Sequence, residues 1–351
     1  MNYKSILNLL GILLGIFSLS FIPPLILSYV YNESGNDVFL CSFLFFFILG
    51  GVIWAATRQE NLPLNISDGF IITTLFWVVL ACAGSVPFYF FGLNVSDAIF
   101  ESVSGITTTG ATTIVGLDNL PKSILLYRQL LQWIGGMGLI VLAVAVMPAL
   151  GIGGGQLYKM ELPGSHGNQK LTPKITDSAK ALWKIYVGLT VACATLYLLS
   201  GMSLFDSIAH SLSTVAGGGF STHDGSIGFF DSALIETVCI IFMLLSAASF
   251  AVHYAAIFGG KPLKYFYDSE FKFFLSVVFL IIAVSLIVHI LSNSYADIFS
   301  AFWLNGFSCC FYGHNIRFYH RELLTLAWFF TIPIACWCFY GSLFSVCWWR
   351  H

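Results

Sequence analysis

Apolar runs long enough to cross a lipid bilayer recur along the whole sequence, at about 5–30, 37–57, 69–92, 123–150, 182–202, 232–258 and 271–293. A spanning helix needs roughly 20 such residues, and inside lipid only a helix or a closed barrel satisfies its own backbone. The run lengths therefore predict an all-α integral membrane protein with about seven spans. Composition agrees: 58% of residues are hydrophobic and only 9% charged, against about one quarter charged in soluble domains. The first run, from Ile6 to Val30, is too long for the apolar part of a secretory signal and lacks a small-residue cleavage site, so it reads as a span. There is no basic stretch interleaved with aromatics, so nucleic acid is not an expected partner.

Charge placement orients the chain. Lys159, Lys170, Lys174, Lys180 and Lys184 lie in one polar segment, and Lys261, Lys264 and Lys272 in another. The positive-inside rule puts both in the cytoplasm. Lys4 and Arg58 then agree with a cytoplasmic N-terminus, two spans joined by an acidic outer loop from Asn32 to Asp37, and a return to the inside. Lys122 and Arg128 fall on the outer side as exceptions. Of nine cysteines, Cys41, Cys82, Cys193 and Cys239 are isolated in apolar runs and read as core packing. Cys309, Cys310, Cys336, Cys338 and Cys347 crowd into the C-terminal tail with four of the nine tryptophans.

Two polar segments between spans resemble each other without a gap. Asp97-Ala-Ile-Phe-Glu-Ser-Val-Ser-Gly-Ile-Thr-Thr-Thr-Gly110-Ala-Thr-Thr113 aligns with Asp206-Ser-Ile-Ala-His-Ser-Leu-Ser-Thr-Val-Ala-Gly-Gly-Gly219-Phe-Ser-Thr222, a period of 109 residues. The repeated unit is span, short helix, Gly/Thr loop, span. A third copy begins at the seventh span, followed by Tyr295-Ala-Asp-Ile-Phe. Irregular backbone at membrane depth is tolerated only when buried in protein or lining a watery cavity. A dehydrated cation needs oxygen ligands, which main-chain carbonyls supply without fixed charge. Short helices at about 97–104 and 206–213 would aim their partly negative C-terminal ends at such an ion, with Asp97 and Asp206 as N-caps. A single small-residue run would read instead as a close helix contact; two in register, each behind a short helix, favour pore loops.

At these residues the sequence resembles the TrkH/KtrB family of K⁺ transporter subunits. The resemblance rests on Thr107-Thr-Thr-Gly-Ala-Thr-Thr113, on Ala216-Gly-Gly-Gly-Phe-Ser-Thr222, and on Arg128-Gln-Leu-Leu-Gln-Trp-Ile-Gly-Gly-Met-Gly138 with the span running to Pro148. It covers 1–305 and favours the TrkH branch. It implies two leading helices and four repeats around a pseudo-fourfold pore, each repeat giving one filter strand. The implied strands are Thr107, Thr108, Thr109, Gly110 and Ala216, Gly217, Gly218, Gly219, holding K⁺ as the transported ion with no other cofactor. It also implies a homodimer in membrane lipid that binds a cytosolic ring of nucleotide-binding regulatory subunits. The Lys-rich loops at 156–184 and 259–272 face that compartment, although the positive-inside rule explains their charge equally.

The sequence departs from this pattern in its tail. A third Thr/Gly filter is expected near residue 315, but the chain reads Ser308-Cys-Cys-Phe-Tyr-Gly-His-Asn-Ile-Arg-Phe-Tyr-His320. Shifted by one nucleotide, codons for these residues permit Val-Val-Ser-Met-Val-Thr-Thr-Ser-Gly-Phe-Thr-Thr, which resembles the missing filter. The expectation is thus a frame change near residue 307 and an organisation of leading helices (1–60), a first repeat (68–150), a second (182–258), the start of a third (270–307) and an out-of-frame tail (308–351). A truncated, non-transporting fragment is the first alternative. A polytopic membrane enzyme is the second, but no HExxH, GxSxG, nucleotide loop or paired carboxylate set appears. Among single residues, Glu101 reads either as a cation concentrator or as a satisfied polar contact. Gly135, Gly136 and Gly138 read as a hinge or as close packing. His210 reads as a hydrogen-bonded structural group, and His253 and His289 are ionisable groups in spans with no assigned role.

Overall fold

The computed structural model describes residues 3–33, 35–58, 66–149, 175–248, 250–260 and 263–291. The expected frame change, the tail from 308, His289 and most of the first Lys-rich loop lie outside the described residues and side chains. Among those described, all regular structure is helical, and four stretches are long and apolar enough to cross a membrane: Tyr3–Val30, Asp37–Thr57, Ile71–Phe90 and Ala181–Leu199.

The first stretch is not one helix. α1 (Tyr3–Ser18) passes through a 3₁₀ turn at Leu19–Phe21 into α2 (Ile22–Val30). Pro23 and Pro24 explain the break, because proline lacks the N–H that would continue the ladder and is accepted only in a first turn. α1 crosses α3 (Asn36–Thr57) closely: a Cβ on Gly50 would stand 2.7 Å from the Gly11 carbonyl. Small residues let two spans approach where lipid offers no hydrophobic drive.

Two units follow. α4 (Ile66–Phe90), α5 (Val95–Ile106) and α6 (Lys122–Ala149) form the first. The second comprises α7 (Ile175–Leu199), α8 (Leu204–Ala216), α9 (Ala233–Ser246) and α10 (Phe250–Ile257). The bounds of α7 are those of α4 displaced by 109 residues, so the sequence period is also a structural one. α11 (Lys264–Tyr267) and α12 (Ser269–Leu291) complete the described chain. The second unit differs in breaking its last span after Ser246. There His253 Nε2 lies 3.0 Å from the Leu245 carbonyl freed by the break, and Nδ1 lies 2.6 Å from the Tyr265 hydroxyl. That gives His253 a structural role.

Buried side chains fall into two cores. Tyr127 of α6 centres the first, its ring 5.6 Å from Phe21, 5.6 Å from Phe39 and 5.3 Å from Phe88, so the leading helices dock on α6. Tyr186, Cys193, Tyr197, Met202 and Phe242 carry the second. Cys193 and Cys239 pack there as expected, but Cys41 and Cys82 are exposed and correct the core assignment. Each lies on a helix flank that no described element covers; an apolar run alone does not say which face is inward.

Candidate ion-binding loops

Both short helices are capped three residues earlier than the sequence reading placed their starts. Asn94 and Ser203 are the N-caps, accepting hydrogen bonds from the Asp97 and Asp206 amides at 2.9 and 3.1 Å. Asp97 and Asp206 are therefore third-position acids, corrected from N-caps, and each receives a bond at 2.7 Å from its cap side chain. This is the reciprocal logic of a capping box, and it leaves both carboxylates near the positive helix ends.

Past the helix ends the two loops share one backbone plan. φ is −82° at Thr107, +55° at Thr108 and +74° at Gly110, with Thr109 not positive; in the second loop it is +67° at Gly217 and +79° at Gly219, with Ala216 and Gly218 not positive. Hand thus alternates residue by residue at all eight predicted positions. Such alternation turns successive peptide units to a common side. The amide hydrogens fold back on the helices: Thr107 to Val103, Thr108 to Gly105 and Thr109 to Ser104 carbonyls, mirrored by Gly217 to Thr214 and Gly218 to Ser213. Among the described residues, the carbonyl oxygens of Thr107 to Gly110 and Ala216 to Gly219 accept no hydrogen bond. Positive φ suits glycine; Thr108 is the position where a β-branched residue takes it.

Residues behind the loops hold them in place. Glu101 is fully buried and receives bonds from the Thr112 hydroxyl at 2.5 Å and the Thr113 and Ile114 amides at 2.6 and 3.3 Å. It is a satisfied contact, not an open vestibule charge. Its equivalent, His210, accepts from the Ser221 hydroxyl at Nε2, 2.9 Å, and donates from Nδ1 to the Asp206 carbonyl, 3.0 Å. Thr112 and Ser221 are themselves equivalent positions. Burial lowers the His210 pKa to about 4, against the raising effect of that backbone bond, so the ring is neutral.

α6 runs between the loops. Arg128, fully buried, lies 3.4 Å from Glu101 Oε2 and donates to the Thr112 hydroxyl at 3.0 Å and the Ser221 carbonyl at 3.1 Å. Its guanidinium also covers the Phe220 ring at 4.2 Å. Gln132 Oε1 accepts from the Phe220 amide at 3.0 Å. Gly135 touches the Ile106 carbonyl, where any Cβ would collide with backbone; Gly136 faces Tyr186 and Ala216, and Gly138 faces Trp77. All three glycines are close-packing positions. Lys122, the other exception to the charge rule, is also engaged, its ammonium 4.1 Å from the Tyr31 ring centre.

His223 joins the two units, with Nδ1 2.5 Å from Asp118 Oδ1 and Nε2 3.4 Å from Asp206 Oδ1. Its ring stacks on Phe229 at 3.7 Å. Burial opposes the charge on His223, but Asp206 and Asp118 outweigh it and raise the pKa. Burial would likewise raise Asp206, yet the nearby His223 ring and hydrogen bonds from Ser203 and Thr222 bring it well below the usual carboxylate range. Gln132 and His223 were not singled out in the sequence, and Arg128 stood out there only as a charge-rule exception and as the first residue of a motif that carries the resemblance. An ionisable residue inside an apolar run was the available signal for Arg128.

Fold and loops together define a helical membrane protein of tandem units, each a span, a short helix, an irregular loop with unclaimed carbonyls, and a second span. The TrkH family, described as a cation transport protein, matches residues 35–306, and the chain belongs to that family. It is 46% identical over 307 residues to the Trk system potassium uptake protein TrkH of Vibrio parahaemolyticus, covering 86% of this chain and 63% of that one. Against the TrkH of Escherichia coli K12 the identity is 45% over 300 residues, covering 85% and 62%. A crystal structure of the potassium transporter TrkH from Vibrio parahaemolyticus superposes with a TM-score of 0.78 at 43% identity, covering 89% of this chain and 64% of that chain. The chain therefore spans a little under two thirds of the length of these relatives.

Proposed function

We propose that this chain is the membrane subunit of a K⁺ uptake system, and that Thr107, Thr108, Thr109, Gly110, Ala216, Gly217, Gly218 and Gly219 form two strands of its selectivity filter. The observation that carries the reading is the pair of matched loops whose amides bind back to their helices while the carbonyls are left unclaimed. Stacked carbonyls of this kind replace the hydration shell of a monovalent cation. The C-terminal ends of α5 and α8, where each loop starts, add negative potential. Relatives named for potassium uptake supply the ion.

The same reading takes the protein as multi-pass in a bacterial inner membrane with a cytoplasmic N-terminus. It assembles as a homodimer in lipid with a cytosolic nucleotide-binding regulatory subunit. Residues 1–60 are the leading helices, 68–150 and 182–258 the first two repeats, and 270–307 the start of a third, before an altered tail at 308–351. The end of the family match at 306 supports that last boundary. The alternative, a fragment that folds without transporting, is not favoured by relatives named for potassium uptake, and one experiment separates the two readings.

Rubidium uptake in cells lacking their own K⁺ uptake systems tests both, using the chain as written and a form with the frame corrected near codon 307. Uptake by the corrected form alone supports the filter and makes the shorter chain the fragment. No uptake by either form overturns the filter reading. Resequencing across codon 307 tests the frame change directly, and an intact frame with Cys309 and Cys310 codons ends that idea.

A further inference from the structure

We infer that Arg128 and Gln132, one turn apart on α6, are positioning residues that hold the two filter strands at a fixed mutual spacing and thereby set which cation the carbonyls accept. The inference rests on the filter reading above. Within each unit the loop is held by its own helix, through Glu101 in the first and His210 in the second. Those contacts shape each strand but do not relate one to the other. Relating them falls to α6.

Arg128 does so with one side chain. It engages Glu101 and the Thr112 hydroxyl on the first loop and the Ser221 carbonyl on the second, attaching at equivalent positions two residues beyond Gly110 and Gly219. A guanidinium is suited to this because its donors are fixed in one plane, and stacking on Phe220 sets that plane. Gln132 adds the inner attachment. Its oxygen holds the Phe220 amide beside Gly219, while its carboxamide lies so close behind Gly218 that a Cβ there would collide with it. Gly218 is thus seated directly on α6. Both side chains are fully buried, so the spacing they impose is not averaged by solvent. Among the described residues, two further hydrogen bonds link the loops, Gly116 to Asp224 and His223 to Asp118, and both lie beyond the filter residues along the chain. Because carbonyl selectivity depends on the number and disposition of the oxygens around the ion, a change in strand spacing alters selectivity before it abolishes flux.

The test is the rubidium-to-sodium uptake ratio of the full chain and its frame-corrected form. Gln132→Leu keeps the volume and removes the acceptor for the Phe220 amide. Arg128→Lys keeps a cation beside Glu101 and removes the fork that reaches both loops. Each is expected to lower the ratio roughly fivefold, the factor equivalent to one hydrogen bond of ordinary net strength. Gln132→Glu, which keeps the acceptor, is expected to restore most of it. Glu33→Gln is the structural control: Glu33 receives the Lys122 and Ser123 amides at the start of α6, away from the loops. It should lower the amount of folded protein and leave the ratio unchanged. Should Arg128→Lys fail to fold, Gln132→Leu decides. An unaltered ratio in variants that still transport, or an equal fall in Glu33→Gln, overturns this inference alone. Absence of rubidium uptake by both unsubstituted forms overturns the filter reading and this inference with it.

Discussion

Replacing Glu101 by glutamine removes one negative charge from a site with no access to solvent and almost no change of shape. The amide oxygen of the new side chain would still accept from the Thr113 or Ile114 amide, so the neutral part of the network loses about 1 kcal/mol. The larger consequence falls on Arg128, whose side chain is 0% exposed and has Glu101 as its carboxylate partner. Stranding one member of a buried ion pair costs about 3–5 kcal/mol, and that penalty dominates. Arg128→Met alone should cost a similar amount by stranding Glu101. The double variant Glu101→Gln with Arg128→Met carries neither charge and should be less destabilised than the sum of the singles by about 2 kcal/mol or more. Equilibrium unfolding in mixed micelles, followed by tryptophan fluorescence, measures all four corners of the cycle. A cost below about 1 kcal/mol for Glu101→Gln, or strict additivity in the double variant, would refute the claim that this pair holds the loops by charge.

Gly135→Ala should lower the unfolding temperature in detergent, at about 1–3 kcal/mol for overpacking, because its Cβ meets the backbone carbonyl of Ile106 and not a movable side chain. Gly15→Ala, whose Cβ meets nothing within 4 Å, should instead be stabilising by up to about 1 kcal/mol; equal effects at the two sites would contradict the packing described. His223 has a raised folded pKa, so its contribution to stability is complete below its ordinary value of 6.5 and is lost as pH rises through the raised value. His223→Gln should therefore differ from the parent in acid and converge on it in alkali, as pH-dependent melting curves would show. His210 runs the other way: its pKa falls to about 4, so stability should decline as pH drops from 6.5 toward that value, and His210→Gln should flatten this slope.

Much of the architecture was legible in the sequence for simple reasons. Roughly twenty apolar residues in lipid have few options, so the all-helical class and, among the described residues, four of the seven expected spans followed from run length. The 109-residue period followed from aligning Asp97 with Asp206, and the helices repeat at that period. The loop residues stood out because irregular backbone is costly at membrane depth unless it is buried in protein or lines a watery cavity, and two Gly/Thr runs in register, each behind a short helix, pointed to such backbone. Helix starts were misplaced at Asp97 and Asp206 because an acid suits both the cap and the third position, and Asn94 and Ser203 compete for the cap.

What the sequence alone determined is the order of spans, short helices and loops, since each depends on local composition and on lipid's intolerance of unpaired backbone. Only the tertiary structure decided what Glu101, Arg128, Gln132 and His223 do. The partners that fix their roles lie up to 105 residues away along the chain, and no local pattern encodes which distant groups a buried charge or amide will meet. For the same reason an arginine that reads as a misplaced outer charge is, once α6 lies between two loops, the group that joins them.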